Sequence, residues 1–288
     1  MKSLGWIGLG HMGEPMAMNL LKAGYQLNVY NRSKQKEFNF TENGAKSYSS
    51  TEELAKNSDI IFLMLSDSNA VNDVLTKEFG VLKGITKDKI VINMSTISPS
   101  ESLDFSKLIE EKGGIYLDCP VSGSVGAAIT KQLIILASGI KNIVQEVSEY
   151  FNLLGRKTIY FGEVGKGSAS KLSINLLLGI IGQGIAESIL LAEKSGIQKD
   201  DFFELISSSG MNTPLFQAKK EMLRTENFPS AFMLELMSKD LDLASKEADK
   251  LNLSLPLAKE SDKTYKKAKN NNKGKLDMAS VYLELKNN

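Results

Sequence analysis

The stretch "GWIGLGHMGEPMAMNLL", residues 5–21, decides the fold. An apolar run leads into Gly8-Leu9-Gly10-His11-Met12-Gly13, and a helical pattern follows at once. A G-x-G-x-x-G set between a first strand and a first helix is the context that a dinucleotide-binding turn requires. Gly8 permits the tight turn, Gly10 the approach of a pyrophosphate to the backbone, and Gly13 close packing of helix on strand. The helix start then offers N–H groups and a positive dipole end to phosphates. His11 and Met12 lie inside this loop and join the glycines as candidate cofactor contacts. His11 is the only histidine. A pyrophosphate-loop residue does not normally reach the reacting end of the cofactor, so His11 reads as an incidental loop residue rather than an acid–base group.

Working outward, the second strand ends in "VYNRS", residues 29–33. An NAD-specific fold usually places an acidic residue here to hold the ribose hydroxyls. This chain has Asn31, Arg32 and Ser33, and the planar donor fork of an arginine suits a 2′-phosphate. The expectation is NADP(H) rather than NAD(H). The alternative is that these three residues only form a turn and cap the next helix.

The first half alternates β-rich runs with helical patterns. "SLGWIGLG", "QLNVYN", "IIFLML", "KIVINMS", "IYLD", "LIILAS" and "KTIYFG" read as strands. "EPMAMNLLKAG", "SKQKEFNFTENG" and "SPSESLDFSKLIEEKGG" read as helices. "SSTEELAKN" carries a capping box, Ser50 with Glu53. Strand–helix alternation with continuous apolar strands implies a mostly parallel sheet covered on both faces. Beyond about residue 163 helical periodicity dominates. The expectation is an α/β Rossmann domain over residues 1–163 and an all-α domain over 164–288, with the boundary near "GEVGKG".

With 288 residues, 42% hydrophobic and 24% charged, the chain can fill two cores and is not disordered at large. A net charge of +1 gives no global attraction to nucleic acid or anionic membrane. The basic segment "KESDKTYKKAKNNNKGK" lacks aromatic interleaving and reads as a solvated helix and loop. The single Cys119 cannot form an internal disulfide and points to a reducing compartment; no metal-ligand cluster is expected. Glycines and Glu14 interrupt the N-terminal apolar run, and the apolar centre of 174–181 is shorter than a membrane span. The expectation is a cytoplasmic protein without membrane or nucleic-acid partners.

Four segments, "GLGHMGEPMAMNL", "DCPVSGSVGAA" (118–128), "GEVGKGSASKLSIN" (162–175) and "AFMLELMSKDLDLA" (231–244), make the chain resemble the β-hydroxyacid dehydrogenases, the 3-hydroxyisobutyrate dehydrogenase superfamily. The likeness covers nearly the whole chain. "MLSD" (64–67), "PVSGS", "GMNTPLF" and "KGKLDMASVYLELK" look most like the glyoxylate/succinic semialdehyde reductase branch. Ser124 stands where other branches usually have a second glycine, and "ITKQL" lacks the glycine common before the Gln-Leu pair.

The resemblance implies a Rossmann domain followed by a helical domain that carries substrate site and oligomer contacts. It assigns Lys171 as the acid–base group and Asn175 as its partner. Ser122 and Gly123 would grip a substrate carboxylate, and Thr96 would contact the substrate and lie beside the cofactor. Phe232 and Asp240 would line the pocket. Leu65, Ser66 and Lys239 would contact the cofactor. Homodimers or homotetramers are the implied assemblies.

The same residues make chemical sense. Lys171 and Asn175, four apart on a predicted helix, share a face. Hydride delivery to a carbonyl leaves an alkoxide that an ammonium can protonate and stabilise. The competing reading is a helix-entry lysine that snorkels to water. "PVSGS" at a strand end is a small-residue loop whose donors can close on a carboxylate. Gly179, Gly182 and Gly184 would admit a neighbouring helix, and the all-round apolar character of this segment implies burial on several sides.

The function expected is NADPH-dependent reduction of small carboxylated aldehydes, such as glyoxylate or succinic semialdehyde, to hydroxyacids. The alternatives are a 3-hydroxyisobutyrate or other β-hydroxyacid dehydrogenase and, from a different class, a non-catalytic dinucleotide-binding module.

Overall fold

A computed structural model describes residues 2–287. The strands are β1 (Leu4–Ile7), β2 (Leu27–Tyr30), β3 (Lys46–Ser47), β4 (Ile60–Leu63), β5 (Ile90–Asn93), β6 (Ile115–Asp118), β7 (Val121–Ser122), β8 (Leu133–Ala137) and β9 (Gly155–Tyr160). The helices are α1 (Gly13–Lys22), α2 (Phe38–Glu42), α3 (Thr51–Lys56), α4 (Ser68–Thr76), α5 (Pro99–Glu110), α6 (Val125–Ile129), α7 (Lys141–Glu146), α8 (Ser148–Leu154) and α9 (Lys166–Lys194). They continue with α10 (Lys199–Ser208), α11 (Pro214–Thr225), α12 (Leu234–Lys250), α13 (Pro256–Ala268) and α14 (Val281–Lys286). The chain divides into two compact units, the first ending at Lys171 and the second beginning at Leu172.

In the first unit six parallel strands run in the order β3-β2-β1-β4-β5-β6, the doubly wound order of dinucleotide-binding folds. Every residue of β1, β4 and β5 is buried, as strands covered on both faces must be. Alternate side chains feed two cores. Leu4, Trp6, Ile60, Phe62, Ile90 and Ile92 enter one, while Ile7, Ile61, Leu63 and Val91 enter the other. Trp6 stacks on Phe62 at 5.3 Å between ring centroids, which ties β1 to β4 inside the first core.

The expectation of one mostly parallel sheet holds for six strands and fails for the last three. After β6 the chain enters Pro120 and turns into β7, which pairs antiparallel with β8, and β9 joins β8 in parallel. "LIILAS" and "KTIYFG" therefore build a separate three-stranded sheet. The two-residue β3 and the helix α4 were not evident in the sequence. The first is too short to show alternation; the second is preceded by its N-cap Asp67, whose side chain accepts from Ala70 N. The Ser50 capping box is half formed. Ser50 Oγ accepts from Glu53 N, but the Glu53 carboxylate turns to the amide and hydroxyl of Ser49. A complete box stands instead at Ser98 and Glu101, with Pro99 opening α5.

The second unit is helical. Phe203 and Phe216 meet edge to face at 5.6 Å, and Tyr265 and Tyr282 are buried in the same core. A Cβ at Gly179 would lie 2.9 Å from Leu241, and one at Gly182 would lie 2.7 Å from Met278, so both glycines admit close neighbours as expected. Gly184 does not: nothing approaches its Cβ position within 4 Å. Burial of α9 is uneven around the helix: Leu172 and Ile189 are buried, while Leu177 is 51% exposed and Leu191 is 71% exposed. By length and composition alone, α9 is long and apolar enough to cross a membrane.

Candidate active site

The glycine loop is built by contacts that only glycine allows. Gly8 has φ +100°, and a Cβ there would meet the Met64 carbonyl oxygen at 2.3 Å. A Cβ at Gly13 would stand 2.0 Å from the Gly8 carbonyl oxygen, which also accepts from the Trp6 indole N–H at 3.0 Å. Gly10 is different, because a Cβ there would touch nothing within 4 Å. The protein's own packing does not require a glycine there, and the space over it is open. The N-terminus of α1 carries no side-chain cap; Glu14 N donates to Gly10 O at 2.9 Å and Pro15 has no N–H, which leaves the Gly13 amide for an anion. His11 is exposed and Met12 packs partly against the core.

Beside this loop lies a cleft of about 290 Å³. Its walls bring together Gly8, Gly10, Asn31, Arg32, Leu65 and Ser66, all expected at the cofactor, and add Ala70, Asp73 and Val74 of α4. Asn31 works within the framework: its Oδ1 accepts from Leu9 N at 3.0 Å and its Nδ2 donates to Ser33 O at 3.0 Å. The Asn31 amide in turn donates to the buried Glu37 carboxylate at 2.5 Å. Lys34 is committed to that same carboxylate at 3.0 Å, to Tyr48 O and to the face of Tyr30. The exposed Arg32 has no hydrogen-bond or ion-pair partner among the described residues, so its fork remains available.

The neighbouring loops stand at carboxyl ends of strands, where ligands bind in such sheets. Leu65 N donates to Ser95 Oγ at 2.9 Å, which ties the loop after β4 to the loop holding Thr96. Ser122 lies in β7, and Gly123 follows with φ +144°. Ser124, in place of a glycine, caps α6 by accepting from Ala127 N at 3.4 Å. Lys131, in place of the glycine before Gln132-Leu133, takes the left-handed conformation with φ +59°. The loop keeps the backbone shape a glycine would favour and bears its strain.

Lys171 occupies the second turn of α9 and is only 8% exposed, so the snorkelling alternative does not describe it. The start of this helix is held from a distance. Asp118, fully buried at the end of β6, accepts from Gly165 N at 3.1 Å, from Ser168 N at 2.9 Å and from Ser168 Oγ at 2.8 Å. Ser138 Oγ accepts from Gly167 N at 3.0 Å and donates to the Asp118 carbonyl oxygen at 3.1 Å. Gly167 must be glycine here, since a Cβ would lie 2.5 Å from Asp118 O and 2.6 Å from Leu136 O. Burial pushes the Asp118 carboxyl upward from the usual carboxylate range, against the pull of its bonds from Ser168, Ser138 and Gly165. Asp118, Ser138, Gly167 and Ser168 escaped the sequence reading; the one local signal was an aspartate closing a strand. Burial also pushes the Cys119 thiol up, as befits a structural cysteine.

In the second unit, the buried Asn175 donates from Nδ2 to Asp240 Oδ2 at 2.6 Å, and the Lys239 ammonium lies 3.1 Å from Asp240 Oδ1. Phe232 is partly buried, and its amide donates to Asp277 Oδ2 at 3.0 Å. That fully buried carboxylate also accepts from Ala231 N at 3.0 Å and from Lys219 Nζ at 2.8 Å. Asp277 is a further residue that the sequence did not reveal, because the segment it holds lies more than forty positions away. Among the described residues no cluster of His, Cys, Asp or Glu could hold a metal ion.

Comparison with known proteins decides the family. The NAD binding domain of 6-phosphogluconate dehydrogenase matches residues 3–162, and the NAD-binding domain of NADP-dependent 3-hydroxyisobutyrate dehydrogenase matches residues 165–285. Glyoxylate/succinic semialdehyde reductase 2 of Arabidopsis thaliana, a chloroplastic protein, is 36% identical over 284 residues, 99% of this chain and 79% of its own. Glyoxylate/succinic semialdehyde reductase 1 of the same plant is 36% identical over 96% of both chains. The chain belongs to the 3-hydroxyisobutyrate dehydrogenase superfamily. As a β-hydroxyacid dehydrogenase it is an NAD(P)-dependent oxidoreductase acting on CH–OH groups. The solved 3-hydroxyisobutyrate dehydrogenase of Mycobacterium tuberculosis superposes with a TM-score of 0.90 at 26% identity, covering 99% of each chain. The dehydrogenase also spans about half the length of the cytokine-like nuclear factor N-PAC of Homo sapiens, at 31% identity. The loop geometry fits the dinucleotide: the space over Gly10, the Gly13 amide at the start of α1 and the cleft beside them make a cradle for it.

Proposed function

We propose that the dehydrogenase reduces small carboxylated aldehydes of the glyoxylate and succinic semialdehyde type with NADPH. The observation that carries this reading is the buried ammonium of Lys171, set early in α9 in a chain that is 36% identical to two glyoxylate/succinic semialdehyde reductases. The dinucleotide, when bound, supplies the hydride. Gly8, Gly10 and Gly13 hold its pyrophosphate, with the Gly13 amide at the start of α1, and Leu65 and Ser66 border it. Arg32 binds the 2′-phosphate, supported by an exposed guanidinium that no other side chain engages.

Ser122, Gly123 and Thr96 hold the substrate carboxylate, and Phe232 and Asp240 shape the pocket. Lys171 Nζ donates a proton to the carbonyl oxygen as negative charge develops there, and Asn175 orients the reacting group. The amide of Asn175 is itself oriented, since its donor side is taken by Asp240. Assembly of two or four copies through the helical unit belongs to the same proposal, supported by the exposed apolar side chains along α9.

The reading is tested by NADPH oxidation across glyoxylate, succinic semialdehyde, methylmalonate semialdehyde and tartronate semialdehyde, in both directions. Lys171→Ala should fold, bind NADPH and lose about 100-fold or more in kcat. Near-normal turnover by that variant would end the lysine assignment. The likeness in fold to the mycobacterial enzyme favours a second reading, oxidation of 3-hydroxyisobutyrate, which would appear in the same assay as faster turnover in the oxidative direction.

A further inference from the structure

We infer that Asp118 is a positioning residue for catalysis: its buried carboxylate serves as the N-terminal cap of the helix that carries Lys171 and fixes where the lysine emerges. The inference rests on the proposed role of Lys171 and adds a residue to it. A helix begins with amides that have no partner inside the helix. Ordinarily a serine, threonine or aspartate next to the first turn satisfies them. In α9 the acceptors come from far upstream. Asp118 takes the amides of Gly165 and Ser168, and Ser138 Oγ takes the amide of Gly167. The Ser168 hydroxyl adds a further bond to the other carboxylate oxygen.

Three features make this more than ordinary capping. The acceptor is a fully buried carboxylate, and hydrogen bonds to an ionised acceptor are short and strong. Its negative charge sits at the positive end of a 29-residue helix, where the dipole favours it. Ser168 and Lys171 are three positions apart, so the residue that Asp118 grips and the lysine share one face of the helix. A slip or fraying of the first turn would displace the lysine directly. Gly167 lets the helix start lie against the Asp118 and Leu136 carbonyls, which leaves little room for such a slip.

The experiment compares Asp118→Asn, Ser168→Ala and Lys171→Ala in the full chain. Four quantities are read: thermal midpoint, NADPH Kd by fluorescence, hydrogen exchange of the peptide spanning 165–171, and steady-state kinetics with NADPH and its 4-deuterated form. Asp118→Asn should speed exchange in that peptide and lower kcat at least tenfold, with NADPH Kd within about twofold of wild type. The hydride isotope effect should rise, because the chemical step becomes limiting. Ser168→Ala should move each quantity in the same direction by less. A purely structural residue would lower the active fraction and leave the isotope effect and KM unchanged; that pattern overturns the inference. If Asp118→Asn does not fold, Ser168→Ala decides alone, and wild-type exchange with a wild-type isotope effect overturns it. Should Lys171→Ala retain turnover, the underlying lysine assignment fails, whatever the other variants do. Should only Lys171→Ala be inactive, the lysine stands and the Asp118 role falls.

Discussion

Asn175 and Asp240 are sixty-five residues apart, both buried, and joined by a hydrogen bond of 2.6 Å from carboxamide to carboxylate. The bond ties α9 to α12 inside the helical unit. Asp240→Ala takes the carboxylate acceptor from a buried amide, and Asn175→Ala leaves a buried carboxylate with one fewer donor. The two substitutions should therefore couple by about 1–2 kcal/mol in a double-mutant cycle read by urea unfolding. Additive effects would show that the bond contributes nothing beyond its two ends.

Two glycines of one loop should behave in opposite ways. Gly13→Ala forces a Cβ onto the Gly8 carbonyl and should cost about 1–3 kcal/mol of stability. Gly10→Ala meets only open space, so its thermal midpoint should match wild type while NADPH affinity falls at least tenfold. Calorimetry and fluorescence titration of both variants check the contrast.

Arg32→Ala should weaken NADPH at least tenfold and leave NADH unchanged, since the lost fork acts only on the 2′-phosphate. Equal loss for both cofactors would place the arginine elsewhere in recognition.

Lys131 bears a left-handed backbone without the freedom of glycine. Lys131→Gly should stabilise the protein by about 0.5 kcal/mol, the relieved strain outweighing the extra freedom of the unfolded chain. Lys131→Val should destabilise it. Thermal or urea unfolding of the pair gives the sign.

Ile174, Leu177 and Leu191 are exposed and fall within about 100° of one another around α9. If the helical unit assembles through them, Leu177→Lys with Leu191→Lys should turn a dimer or tetramer into a monomer in sedimentation velocity. A wild-type monomer would remove this part of the proposal.

What was legible in the sequence was what is local. The turn at Gly8, Gly10 and Gly13 is written in six consecutive residues, and the strands of the main sheet are continuous apolar runs. The cofactor candidates Asn31 and Arg32 follow from their place at a strand end, Leu65 and Ser66 come from the family resemblance, and one cleft collects all four. The bonds that hold the site in shape cross 45 to 65 positions, as between Asp118 and Ser168, Phe232 and Asp277, or Asn175 and Asp240. No periodicity records such pairings. The second sheet was missed for a similar reason: β8 and β9 look like any buried strand, and only the reversal after Pro120 separates them. Gly184 shows the reverse error, a helix glycine that meets no neighbour.

The capping of α9 also determines where the chain can be cut. A fragment ending in the turn at Glu163 would strip the buried Asp118 carboxylate of its bonds from Gly165 and Ser168 and leave it the Ser138 hydroxyl, an under-bonded charge in the interior of the sheet domain. A fragment carried through Lys171 would keep those partners. The first turn of the long helix is thus the last piece of the nucleotide-binding module, and recombination or splitting of this chain would succeed a turn and a half inside the helix rather than at the loop before it.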